Sequence, residues 1–429
     1  MSGIIFYIWQ KKLLKSRKLY TTNGKELEII DYGTLENGSN TVNNAKVRIG
    51  DRMYNGNIIL HDRENRLEKN HSTVNDLHSN AILHVTTNNI HTATVEEGTA
   101  NWLQIKCAKD LEEEYEAMER HGHRLPCTDE VSKLDNIVLH SLLSRLLVER
   151  IEEKARKIGS TLNACGMIWD DTLFRTIARS FGFGIQGNVF ELWANRLDMQ
   201  ALGKHRDNIM QVEAIMFGQA GLLNPESIPH YYREAALKSS YFNGLLNEYM
   251  FLSKKFGLEP MDFRSWGTSN ATPHLRIARL AAIYHNQKVS MSNISSCDTT
   301  MGLRKLLETS LNGYWQNHTC FGGTETCGNP PMKERHCDIV IINAIVPTLF
   351  IYGKRHSDTS LCNKAEDFLY LMKSEENSII KRWREQGISV KCAADSQALL
   401  QLSKKYCSTC NCKNCHFAYH YIKRRLATE

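Results

Sequence analysis

The hydrophobic period of this chain changes at Asp110, and that change sets the class of fold. Upstream, apolar residues alternate every second position, as in half-buried strands. Downstream they recur at the helical period. Ala45, Val47 and Ile49 alternate with Lys46, Arg48 and Gly50, and Gly50-Asp51-Arg52 is a turn signal. Tyr54–Leu60 reads as the returning strand, and Asn80–Val85 as a third strand covered on both faces. His61 closes the second run and His84 lies inside the third.

Around this stretch, Ile4–Ser16 is expected to be a helix. Ile4, Ile5, Ile8 and Trp9 form its apolar stripe, with Lys11, Lys12 and Lys15 toward water. Glu26–Tyr32 alternates like a strand, the polar segment Gly33–Asn43 reads as a loop, and Asn88–Ala93 as another. Thr94–Glu96 and Trp102–Lys106 are expected to be short strands.

Beyond Asp110, the acidic run Leu111–Arg120 reads as an exposed connecting helix. Leu134–Lys157 is long and amphipathic, with Ile137, Leu142, Leu146 and Ile151 on one side. Asp170 is expected to cap a helix ending at Ser180, before Gly182 and Gly184. Further helices are expected over Val189–Arg196, Met199–Gln219, Ile228–Lys255, Pro273–His285, Gly302–Asn317, Ile339–Tyr352, Asn363–Lys373, Ser378–Gln386 and Asp395–Lys405. Asp395-Ser396-Gln397 reads as an N-cap. Gly218, Ala220 and Gly221 would let helices approach closely, leaving Glu213 and Gln219 as buried polar groups in need of partners. Glu149, Arg150 and Glu153 are expected to pair with Arg276 or Arg279, as structural ion pairs or as part of a polar pocket.

The net charge of +6 on 429 residues does not by itself point to nucleic acid. Thirteen cysteines without a secretory signal suggest a reducing, cytoplasmic setting, with thiols free or on a metal. The apolar run near the N-terminus is too short to span a bilayer, and no other segment is expected to do so.

The sharpest local signal is in the tail, where Cys407, Cys410, Cys412 and Cys415 crowd together. Thiolates this close repel one another unless a cation joins them. Zinc would take four in a tetrahedron, although the single residue between Cys410 and Cys412 leaves little slack. Free thiols are the competing reading. His61 and His84 could ligate a metal with His71, or simply be hydrogen-bonded within the sheet. Asp62, Glu64, Glu68 and Asp76 could supply carboxylates nearby, or form a solvated loop. Lys46 and Arg48 could track phosphate or face water.

The stretches NAKVRIGD, YNGNIILH, AILHV, LLVERIEEK, ARSFGFGIQGNVFELWA, EAIMFGQAGLL, RIARLAAIYH, IINAIVPTLFIYGK, ENSIIKRW and DSQALLQL resemble the uncharacterised bacterial domain-of-unknown-function family 2851. The tail resembles it too, through Cys407, Cys412 and Cys415. That spacing also suits an iron–sulfur cluster completed by a distant thiol, for which Cys127 is the nominated fourth ligand and Cys410 the alternative. Relatives carry an Asp in a Gly-Pro-Asp-Phe loop before the NAKVRIG strand and a Glu near the end of the next strand. This resembles the metal site of restriction-endonuclease-like nucleases, where paired carboxylates hold Mg²⁺. The matching positions here are Thr41 and Ile59, which cannot play that part. Arg66-Leu67 and Asn70-His71-Ser72 replace two further motif pieces. The resemblance therefore implies a degenerate site marked by Thr41, Ile59 and His61, with divalent metal not expected there.

The expected architecture is α+β: a strand-rich domain resembling a restriction-endonuclease-like core over residues 1–107, a connecting segment over 108–133, a helical domain over 134–405 and a cysteine-rich tail over 406–429. The expected function is that of a nucleic-acid-associated protein, on DNA or RNA, derived from a metal-dependent nuclease. The alternative is a non-catalytic protein that binds a protein partner through its helical domain.

Overall fold

The computed structural model describes residues 3–15, 17–35, 39–62, 81–87, 101–123, 125–127, 131, 133–184, 186–266, 273–311, 313–323 and 328–427. It is an α+β protein. The described strands are β1 (Leu19–Tyr20), β2 (Glu26–Asp31), β3 (Thr34–Leu35), β4 (Thr41–Ile49), β5 (Arg52–His61), β6 (Ala81–Thr86) and β7 (Trp102–Gln104). They form one mixed sheet in the order β1-β2-β4-β5-β6-β7, with β3 on β4. Pairing is antiparallel as far as β5, and parallel from β5 through β6 to β7. Gly50 turns β4 into β5 at φ +57°, where a side chain would be strained.

The described chain divides into two compact units that do not follow chain order. One unit joins Met1–Leu142 to Arg382–Ile388 and Leu400–Glu429; the other comprises Leu143–Lys381 and Ser389–Leu399. The tail therefore belongs to the same unit as the sheet.

In the first unit the N-terminal helix spans Ile4–Gln10, shorter than expected because Lys12 takes φ +52°. It is buried from Ile4 through Trp9 on every side, not along one stripe, and the Trp9 indole donates to the carbonyl of Tyr32 at 3.0 Å. Burying each such side chain contributes about 1.5–3 kcal/mol. Two other expectations fail here. Part of the polar segment before Asn44 is strand, because Thr41 and Val42 pair with Ile59 and Ile58. The acidic helix Lys109–His121 is no exposed connector: Leu111, Tyr115 and Met118 are buried, and Glu114 accepts a 2.5 Å bond from the hydroxyl of Tyr421 on the last helix, His416–Ala427. Part of its acidic face meets a partner, while Asp110 and Glu113 stay exposed.

The second unit is helical. Side-chain caps cut the long expected helices: Asp198 and Asn208 start Met199–Lys204 and Ile209–Gln219, and Ser239 separates His230–Lys238 from Ser240–Phe256. Asp170 does not cap its helix; its carboxylate accepts from the Met291 amide at 2.8 Å. Asp395 sits within the first turn of Ala393–Gln401 and reaches back to the amides of Lys391 and Cys392. Ile137 is exposed, whereas Leu142, Leu146 and Ile151 are buried. A methyl at Gly218 would collide with the ring of Tyr249, so these helices do meet at glycine. The buried polar groups found partners: Tyr241 donates to Glu213, and Gln219 donates to the carbonyl of Arg196 at 2.9 Å while accepting from the Asp198 amide.

Among the described residues one helix, Glu334–Arg355, is long and apolar enough to cross a membrane, and 72% of its most apolar window is buried in the fold. A π turn at Ile341–Ile345 interrupts it.

Candidate functional site

Two constellations lie in the unit that holds the sheet. In the first, the β4–β5 register sets Thr41 opposite Ile59, and the β5–β6 register sets Ile59 beside His84. His84 is buried and pairs with Trp102 on β7. His61 Nε2 lies 3.0 Å from His84 Nδ1, and the two rings stack at 5.2 Å. The Trp102 ring stacks on His84 at 4.6 Å and on His61 at 5.0 Å. Parallel pairing explains the convergence. His84 and Trp102 are cross-strand partners, and His61 closes the adjoining strand, two residues beyond Ile59, the register partner of His84. An imidazole pair held by a hydrogen bond and an indole is rigid, and the side chain at Ile59 brings no charge to it. Trp102 escaped the sequence reading, which placed it in a strand but had no signal for its neighbours.

The second constellation is a cavity lined by Cys127, Cys407, Cys412 and Cys415, with Leu125, Val131, Trp383 and Tyr406 among its other walls. Cys407 ends a π turn at Leu402–Cys407, Cys412 opens a short 3-10 turn, and Cys415 precedes the last helix. Cys412 and Cys415 are buried, and the Leu125 amide points at the Cys412 sulfur from 3.5 Å. Burial pushes the Cys127 thiol up to about 12, and the neighbouring thiols of Cys415, Cys407 and Cys412 push in the same direction. Cys410, at φ +51°, does not line the cavity. All four lining thiols are free of disulfides. Among the described residues no three His, Cys, Asp or Glu groups converge on a point that would hold a metal ion, so a metal here would have to draw the thiols inward.

His71, Glu64, Glu68, Asp76, Arg66, Leu67 and the strand expected at Thr94–Glu96 lie outside the described residues. The expected pairing of Glu149, Arg150 and Glu153 with Arg276 or Arg279 is not formed. Arg276 and Arg279 donate to the carbonyls of Phe181 and Pro330. Arg150 faces Gln397 at 3.4 Å, with Glu153 and Glu375 as its charged neighbours.

A model of a protein family of unknown function, DUF2851, matches residues 3–378. The chain belongs to DUF2851. The DUF2851 match covers Thr41, Ile59, His61, His84 and Cys127, whereas the tail cysteines and the DSQALLQL piece lie beyond it. No curated protein and no solved structure matches the chain.

Proposed function

We propose that this chain is a nucleic-acid-associated protein built on a sheet derived from a restriction-endonuclease-like, metal-dependent nuclease, with its cleavage chemistry lost. The observation that carries this reading is the direct pairing of Thr41 with Ile59, beside His84. Two carboxylates at these positions would stand directly opposite one another on neighbouring strands, as a pair that shares a Mg²⁺ does. Here a hydroxyl and an alkyl group stand there instead.

The same reading assigns a structural metal to the cavity of Cys127, Cys407, Cys412 and Cys415, as zinc or an iron–sulfur cluster. A cation there would stabilise the Cys127 thiolate, which burial otherwise keeps protonated, together with those of its three neighbours. It would tie the tail to the segment that follows the sheet.

The test is a binding and cleavage assay on the full chain purified without oxygen. DNA or RNA should bind with an affinity that falls as salt rises, and neither Mg²⁺ nor Mn²⁺ should stimulate cleavage. Metal analysis should find zinc or iron, lost in Cys127→Ser. Robust Mg²⁺-stimulated cleavage overturns the loss of chemistry. Absence of any nucleic-acid binding, with a stable protein complex recovered instead, overturns the reading in favour of a protein-interaction role.

A further inference from the structure

The helical unit contains a cluster of positive charge that, among the described residues, no carboxylate pairs with. The loop between helices Trp169–Ser180 and Gly187–Arg196 folds tightly on itself: a Cβ at Gly182 would collide with the backbone of Gln186 and Gly187. Phe183 and Gly184 both take positive φ, at +43° and +96°. This turn presents the half-buried Phe183 ring, with the His336 ring 4.7 Å away and the Arg276 guanidinium 5.8 Å from its centroid. Arg279 follows Arg276 by one turn on helix His274–Asn286, while Lys333 and Arg335 flank the start of helix Glu334–Val340. His336 sits below the ordinary histidine range because it is partly buried and faces Arg335, Arg279, Lys333 and Arg276.

Backbone carbonyls and aromatic faces hold the two inner guanidiniums; carboxylates do not. Arg276 donates to the Phe181 carbonyl at 3.2 Å and lies over Phe190, and Arg279 donates to the Pro330 carbonyl at 2.7 Å. The acids within Glu334–Val340 are engaged elsewhere: Glu334 and Asp338 both bind Arg304, at 2.7 Å each. Among the described residues no carboxylate pairs with Arg276, Arg279, Lys333 or Arg335. Each guanidinium has five N–H donors and uses one on a carbonyl, so most of each planar fork is left for an external acceptor.

We infer that Arg276, Arg279, Lys333 and Arg335, gathered around the Phe183 turn, form a binding site for a phosphate-bearing ligand. The half-buried arginines form its floor and fix the anion by forked hydrogen bonds. The exposed Lys333 and Arg335 form its rim and draw the anion in. A multiply charged phosphate matches this set of cations better than a single carboxylate. The phosphate could belong to a small molecule or to a nucleic-acid strand, and the chemistry is the same for both.

Sodium pyrophosphate and a labelled single-stranded oligonucleotide are titrated into the full chain by calorimetry and fluorescence anisotropy, at about 50 mM and about 200 mM salt. The variants are Lys333→Glu/Arg335→Glu, whose positions are exposed, and Arg279→Gln, each checked for an unchanged thermal transition. Wild type should bind at the lower salt, and both variants should lose about tenfold or more. Pyrophosphate binding without tighter oligonucleotide binding identifies a small phosphate ligand. Tighter oligonucleotide binding, with a shallower salt slope in the variants, identifies a strand. Failure of both probes to bind, or rim variants that bind like wild type, overturns the proposal. Pyrophosphate binding in a chain that ignores nucleic acid would leave this site standing and remove only the function proposed above.

Discussion

The hydroxyl of Tyr241 donates a 2.6 Å hydrogen bond to Oε2 of Glu213, a carboxyl only 7% exposed in the middle of helix Ile209–Gln219. Burial raises the Glu213 carboxyl from 4.5 to about 7, and the phenol partly opposes the rise by favouring the charged form. Between these two values the folded chain holds a proton that the unfolded chain has released. Stability is therefore fullest below about pH 4.5 and falls as pH climbs through about 7, by roughly 3 kcal/mol from this group. Glu213→Gln should flatten that slope in urea unfolding at about pH 5 and about pH 8. Tyr241→Phe should cost about 1–3 kcal/mol, more at the higher pH, where a buried carboxylate loses its donor.

Gly218→Ala should destabilise the helical unit by about 1–3 kcal/mol, because its methyl would collide with the Tyr249 ring. Tyr249→Ala should be costly alone, yet the double variant should recover part of the loss. A double-mutant cycle in urea that shows simple additivity would remove the close approach as the cause.

Lys154 donates to the side chains of Gln397 and Asn343 at 2.7 and 2.9 Å, and to the carbonyl of Ile342 within the π turn at 3.3 Å. Gln397 passes the network on to Glu375 at 2.5 Å. Lys154→Met should cost about 2–4 kcal/mol, since it strands buried acceptors around Gln397, which is only 1% exposed. Lys154→Arg should restore little, as a planar fork cannot reach three divergent acceptors. Equal stability of the Met variant and wild type in thermal unfolding would show that the network is expendable.

Cys127, with its thiol pushed up to about 12, holds almost no thiolate at neutral pH. Iodoacetamide should label it slowly in metal-free protein, and the rate should rise steeply only in strong base. Peptide mapping after timed alkylation measures this, and prompt labelling near neutrality would contradict the burial.

His84 is 5% exposed, bonded to His61 and stacked on Trp102. His84→Ala should cost about 2–4 kcal/mol, from the cavity it opens and the partner it removes from His61. Chemical unfolding followed by circular dichroism reports it.

Much of this fold was legible residue by residue. Strands at Ala45–Ile49 and Tyr54–Leu60, and a helix over most of Pro273–His285, follow from alternation and from the apolar period, which are local properties. Helix ends were harder, because a capping Asp198, Asn208 or Ser239 inside an apolar run resembles an ordinary polar residue until its amides are located. Asp110, Glu114 and their neighbours looked like a wholly solvated face, yet Arg425 pairs with Asp110 and the Tyr421 hydroxyl donates to Glu114. Of the candidate sites, Thr41 and Ile59 were linked only through the family resemblance, since Thr41 falls in a segment that reads as a loop and pairs with Ile59 only in the folded sheet. The stacking of Trp102 on His84 was not legible, because nothing local says which strands pair in parallel.

The sequence by itself determined the α+β class, the strand and helix content and the crowding of cysteines in the tail, since each depends on residues close together along the chain. Tertiary structure alone decided that Leu125, two residues before Cys127, meets Cys412 across 287 positions, and that Arg276, Arg279, Lys333 and Arg335 gather while the nearby Glu334 and Asp338 pair with Arg304. Such meetings depend on which packed arrangement buries the most apolar surface while satisfying its polar groups, and that balance is struck over the whole fold at once.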